Sequence, residues 1–278
     1  MLAELQSSVG SDVWMGLAQA VGAIAICTVV VVLCRWNAIR VEREAAVAMA
    51  RGLVQMVLVG LVLASLLHSD LLVGSLILLM MTVAAAATAA RRLPEIDGAL
   101  LLCFWAIAAG AGTAIGAMLA TRSLRGDISI LVPVGSMMIA NAMNACAQAL
   151  ERFRADILGH AGEIEAGLSL GADPAVSVAP YLQSAVYASL LPRLDMLKSL
   201  GLVWIPGVMA GMMLTGTSPV YAAIYQFVIA AMILTASGIA GLVATVLMRS
   251  RVFSSAAQLT LRPAPTSASD SAAVDGPA

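Results

Sequence analysis

The sequence predicts an all-α, polytopic membrane protein of about seven transmembrane helices, with one long loop on the cytoplasmic side. Three observations carry this reading. Of 278 residues, 61% are hydrophobic and 11% charged, against about 45–50% and about 25% in soluble domains. Seven apolar stretches are long enough to cross a hydrocarbon core of about 30 Å at about 1.5 Å per residue. The positive charges between them gather on alternate connections, as the positive-inside rule requires.

The spans are expected at 14–34, 52–67, 71–90, 98–120, 128–150, 200–216 and 220–248, the second and sixth being short. Glu4 and Asp12 precede the first span and no Lys or Arg does. A secretory signal would open with a positive region, so this span reads as a retained anchor. Thirteen of the fifteen Lys and Arg residues fall on one side, and only Arg122 and Arg125 on the other. That asymmetry sets the N-terminus outside and the C-terminus in the cytoplasm of an inner-membrane protein, with His68 and Asp70 on an outer loop. In the fourth span, Gly112-x-x-x-Gly116 permits close helix packing, as does Gly207-x-x-x-Gly211 in the sixth, where Pro206-Gly207 should interrupt the helix. Residues 1–253 form the membrane domain, and the Pro-, Ser- and Ala-rich stretch 254–278 reads as a disordered tail.

Several functions are excluded. A net charge of −1 provides no basic field for nucleic acid. Cys27, Cys34, Cys103 and Cys146 form no C-x-x-C pair and read as small hydrophobes. The expected spans contain no Asp, Glu, Lys, Arg or His, the groups that couple ion flow to transport. The single lysine, Lys198, lacks the glycines of a phosphate-binding loop, so the chain cannot carry that ATP site, and as a transport subunit it is expected to contribute no catalytic residue or cofactor. Active transport would then draw on ATP bound by a partner subunit.

The cytoplasmic loop, 151–199, suits such a partner. Residues 163–174, EIEAGLSLGADP, read as a short helix, a break at Gly171, and a new helix with Asp173 as N-cap and Pro174 in its first turn. Glu163, Glu165, Ala166, Gly167 and Gly171 are the candidate ATPase-coupling residues. Glu165 to Gly171 is similar to the EAA-x-x-x-G motif of ABC-transporter permeases, departing from it with Gly167 at the third position. Asp195 and Lys198, three apart, are expected to pair at the ATPase interface. In the fifth span Asn141, Asn144 and Gln148 share one helical face with Met137. Amides in hydrocarbon turn towards a bundle interior. These four, with Pro206 and Gly207, are therefore candidates for a translocation path or for interhelical packing. The methionines read as packing, and no metal ligand set is evident.

The segment LLPRLDMLKSLGLVWIPGVMAGMMLTGTSPVYAAIYQ, at 190–226, and the block PVGSMMIANAM, at 133–143, resemble the FetB-type permease family. The resemblance is carried by Pro192, Asp195, Lys198, Gly201, Pro206, Gly207, Gly211, Gly216, Pro219, Tyr225 and Gln226, and by Pro133, Gly135, Met137 and Asn141. It implies an ABC permease that exports iron or another metal ion, driven by a separate cytoplasmic ATPase. One set of spans implies a homodimer. The family's plant members imply a nucleotide sugar or other small solute as the alternative cargo, and a secondary carrier is the alternative in kind.

Overall fold

The computed structural model describes residues 2–37, 39–66, 71–124, 128–254 and 258–261, and every regular element among them is a helix. The chain divides into two compact units, Met1–His68 and Ser69–Ala278. The first holds α1 (Leu2–Trp36) and α2 (Glu42–Leu66). Arg35 and Glu42 pair across their connection at 3.0 Å. Helix α2 begins ten residues before the apolar stretch expected from 52, with Glu42 and Glu44 in its first turn where the helix dipole favours acidic groups. His68 and Asp70 of the expected outer loop lie outside the described residues.

The second unit contains α3 (Leu71–Ala90), α4 (Ala99–Ala120), α5 (Ile128–Gly159), α6 (Ala161–Ser169), α7 (Pro174–Ser177), α8 (Ala179–Ser199), α9 (Gly207–Leu214) and α10 (Pro219–Arg249). Its centre is α4, α5 and α10. Ala106, Ala114, Ala142, Ala236, Ala240 and Ala244 are fully buried there. Lipid offers apolar side chains nothing worse than a neighbouring helix does, so association within a bilayer depends on close van der Waals packing through small residues. Gly110 shows how close: a Cβ on it would run into the Ala236 carbonyl and lie 2.9 Å from Ala240 Cβ. A Cβ on Gly112 or Gly116, expected to form the packing seam of this helix, would meet no neighbouring element within 4 Å. The helix uses a neighbouring register instead.

One end of this unit is basic and cross-linked. Arg154 of α5 donates to both carboxylate oxygens of Glu95 at 2.7 Å, Arg92 reaches Glu151 at 3.2 Å, and Arg251 donates to the Asp97 carbonyl at 2.6 Å. The chain does not leave the fold at 254 as expected. Thr260 N–H bonds the Val252 carbonyl at 2.8 Å, and Leu259 and Leu261 are buried, because apolar side chains there can cover the end of the bundle. Residues 262–278 lie outside the described residues.

The main departure concerns the sixth span. Residues 200–216 are not one helix. Gly201 and Gly216 take φ of +77° and +87°, Pro206 is extended, and only Gly207–Leu214 is helical. Eight residues span about 12 Å, too little to cross. The element that runs the length of the unit is α8, placed by its composition in the cytoplasmic loop. Its 21 residues reach about 32 Å. At its start Tyr181 touches Glu163 and His160, beside the C-terminal end of α5. Ser189 lies against Gly241 of α10, and Arg193 bonds Asn141 near the middle of α5. Beyond it, α9 lies beside Arg122, Ile130 and Tyr221, at the end opposite the basic one. Helix α8 is thus antiparallel to both α5 and α10. The loop expected over 151–199 is correspondingly shorter, and α5 itself continues to Gly159.

The chain is an all-α, polytopic membrane protein. Among the described residues, five stretches are long and apolar enough to cross a bilayer: Trp14–Trp36, Leu72–Ala90, Ala99–Ala120, Ile130–Gly159 and Pro219–Arg249.

Candidate functional site

The expected helix, break and helix at 163–174 is present. Helix α6 carries Ile164 on its inner side, 2% exposed, and Glu165 and Ala166 on its outer side. It stops because Gly171 adopts φ +88°. Ala172 N–H then bonds the Gly167 carbonyl and Gly171 N–H the Leu168 carbonyl, both at 3.0 Å. This paired arrangement closes a helix C-terminus and asks for glycine at the left-handed position. The next helix opens as its sequence requires, with the Asp173 carboxylate accepting from Ala175 N–H at 2.7 Å and Pro174 in its first turn. Glu163 accepts from the Tyr181 hydroxyl at 3.3 Å, and the His160 ring stacks on Tyr181 at 4.8 Å. These contacts fasten α6 to the start of α8. Leu170, 89% exposed, projects from the turn between α6 and α7, and Val176 projects from α7. A Cβ at Gly167 would meet only ordinary contacts, Ser177 Oγ at 3.8 Å and Ala172 Cβ at 3.9 Å, so the motif's usual alanine would fit there.

The amide face of α5 is divided. Asn141 and Gln148 meet Arg193 of α8, which sequence reasoning assigned to the cytoplasmic loop. Arg193 as a whole is 6% exposed. It donates to Gln148 Oε1 at 2.8 Å, to the Ser189 carbonyl at 3.3 Å and to the Asn141 carbonyl at 3.3 Å. Ser237 of α10 also donates to that Asn141 carbonyl, at 3.4 Å. Arg193 has no acidic partner among the described residues. An arginine at the centre of a membrane helix costs about 2.5–3.5 kcal/mol on insertion scales. Carbonyl oxygens offset part of that, since each presents the negative end of a dipole to the cation. Asn144, on the same face, is exposed. The only advance signal for this cluster was the spacing of Asn141, Asn144 and Gln148; Arg193 was hidden because its segment is too polar to read as a span.

Met137 belongs to a different place. With Pro133, Val208, Met212, Tyr221 and Tyr225 it lines a cavity of about 480 Å³ at the end opposite the basic one, with Arg122 also at its wall. Pro206 is buried and Gly207 begins α9, as the interruption expected there requires. The two tyrosines, stacked at 6.5 Å, were not singled out as cavity residues by the sequence reading. Gln226, next along α10, is buried with its Oε1 unbonded. Asp195 and Lys198 do pair, at 3.3 Å. They stand fourteen or more residues beyond Tyr181 on α8, about 21 Å or further along its axis. They therefore share no surface with α6, so the pair expected at an ATPase interface and the candidate coupling helix are not brought together. Among the described residues no three His, Cys, Asp or Glu side chains converge on one point.

Comparison with known proteins gives consistent relatives. Residues 17–253 match the family described as Uncharacterised protein family (UPF0014). The chain is 28% identical over 246 residues to the UPF0014 membrane protein STAR2 of Oryza sativa subsp. japonica, covering 88% of this chain and 86% of that one. It is 27% identical over 240 residues to the Probable iron export permease protein FetB of Escherichia coli (strain K12), covering 86% and 93%. To the Protein ALUMINUM SENSITIVE 3 of Arabidopsis thaliana it is 26% identical over 246 residues, covering 88% and 90%. No solved structure matches.

Proposed function

The chain belongs to the UPF0014 family, and from that premise we propose that it is the permease subunit of an ABC transporter. In this reading it works as a homodimer with a separate cytoplasmic ATPase and exports iron or another metal ion. The cargo and direction rest on the relative named as an iron export permease. The observation that carries the division of labour is α6 with its glycine-closed turn. It is a short, rigidly terminated helix, anchored inward by Ile164 and presenting Glu165, Ala166 and Leu170 outward, at the basic end of the unit. Such a knob can seat in a groove on a nucleotide-hydrolysing subunit and convey its movement through Tyr181 to α8. The basic end then faces the cytoplasm. With α8 crossing in place of 200–216, the path still crosses seven times and keeps the C-terminus inside. Lys198 moves to the outer end and Arg193 into the membrane. An arginine is effectively always protonated, so it does not restore the titrating group that self-contained proton coupling would need.

The test is reconstitution. The chain, co-expressed with ABC-type ATPases of its own organism, should copurify with one of them in vesicles, and ferrous or ferric iron should stimulate hydrolysis. No association with an ATPase would overturn the reading.

A further inference from the structure

We propose that Arg193, with Gln148 beside it and the Asn141 carbonyl holding it in place, forms an anion-binding site within the membrane domain, and that the cargo passes it as a carboxylate- or phosphate-bearing anion. A metal ion would then travel only as an anionic chelate. This rests on the permease reading above and narrows its substrate class.

The argument begins with charge. Arg193 is 6% exposed, is always protonated, and lies level with Asn141 and Ser237, near the middle of α5 and α10. Ordinarily a buried guanidinium is matched by a carboxylate. Here every partner among the described residues is a neutral oxygen, from Gln148, Ser189 and Asn141. The carboxylates of α8 and α5 are elsewhere: Asp195 pairs with Lys198, Asp156 with Arg152, and Glu151 with Arg92. A full positive charge is therefore held in place and left without a counter-ion.

Hydrogen bonding points the same way. A guanidinium has five N–H donors arranged as a planar fork. Three acceptors engage it, and Nε–H has no partner among the described residues. A carboxylate or phosphate oxygen pair fits such a fork and supplies the missing charge in one contact. Gln148 and Asn144, whose side chains are exposed on the same face of α5, open beside the cation and bring amide N–H donors of their own. Gln148 can turn its amide so that a bound oxyanion replaces Oε1 at the guanidinium. A bare divalent cation would meet repulsion at this position. Neutral acceptors rather than a fixed carboxylate also let an anion leave, since no stronger internal ligand has to be displaced to admit it and none holds it afterwards.

The experiment uses the full chain in lipid nanodiscs, with titration calorimetry of citrate, ferric citrate, inorganic phosphate and manganous chloride. Wild type should bind one or more of the three anions and not the free divalent cation. Arg193→Gln should weaken that binding by about thirtyfold or more. Because Arg193→Gln also removes a strut between α8 and α5, Gln148→Glu is the second variant. It gives the guanidinium an internal carboxylate 2.8 Å away in the wild-type geometry. It should keep or raise the melting temperature while abolishing anion binding, a pairing that a purely structural arginine would not produce. Wild type binding none of the anions, anion affinity unchanged in Gln148→Glu, or wild type binding only manganous ion would each overturn the proposal. ATPase copurification is read on the same preparations. Anion binding without ATPase association would refute the ABC reading and leave this site standing; association without anion binding would do the reverse.

Discussion

Gly110→Ala should destabilise the membrane domain, and Gly112→Ala, two residues along the same helix, should not. The added Cβ at Gly110 would overlap the Ala236 carbonyl and stand 2.9 Å from Ala240 Cβ and 3.0 Å from Ala240 N. Two of these three atoms are backbone, and the third is a Cβ fixed to it, so no side chain can swing aside. To restore ordinary contact α10 must retreat from α4 by roughly 1 Å, a gap at which packed pairs forfeit a quarter to a half of their attraction. Overpacking of this kind costs about 1–3 kcal/mol. Replacing glycine by alanine within a helix returns about 1 kcal/mol through backbone entropy, equally at both positions. That return cancels in the comparison, and the two variants should differ by about 1–3 kcal/mol, all of it packing. Reversible unfolding in mixed micelles by an SDS titration measures the difference. Equal stability of the two variants, or a less stable Gly112→Ala, would refute the claim that the α4–α10 seam closes through Gly110. The second of those outcomes would move the close contact to the Gly112 and Gly116 face.

Two further predictions address the proposed machinery. Glu165→Lys reverses an exposed charge on α6, and Gly171→Val forces a branched side chain into φ +88°, at a cost of about 1–2 kcal/mol confined to the turn. Both should lower ATPase association or stimulated hydrolysis with the bundle's melting temperature unchanged; full stimulation in both variants would remove α6 from the coupling path. The route of α8 is tested by labelling Leu170→Cys, 89% exposed, and Leu202→Cys, 87% exposed, from outside intact cells, in a chain lacking the four native cysteines. With α8 as a crossing, the probe at 202 should react and the probe at 170 should not. Protection of both would return α8 to one side of the membrane.

The sequence by itself determined the class of protein and most of its helices. Hydropathy is a local property, and a helix satisfies its own backbone in lipid, so 71–90, 98–120 and 220–248 appear as helices within a residue or two of their expected ends. The α6 to α7 turn was legible for the same reason: Gly171, Asp173 and Pro174 each act on the peptide units beside them. The route of α8, the sixth crossing in the reading proposed above, is visible only in the tertiary structure. Its buried stripe, Ala185, Ser189 and Arg193, includes two polar residues, and a hydropathy window counts their cost without their partners. Those partners, Gln148 and the Asn141 carbonyl, lie 45 and 52 positions away. The apolar segment 200–216 scored well and yet cannot cross, because Pro206 and two left-handed glycines break its backbone. The sequence likewise named the amides of α5 without revealing that a cation stands against them. Hydrocarbon penalises an isolated charge but tolerates one whose donors are met by fixed dipoles, and where those dipoles stand is set by how α5, α8 and α10 pack.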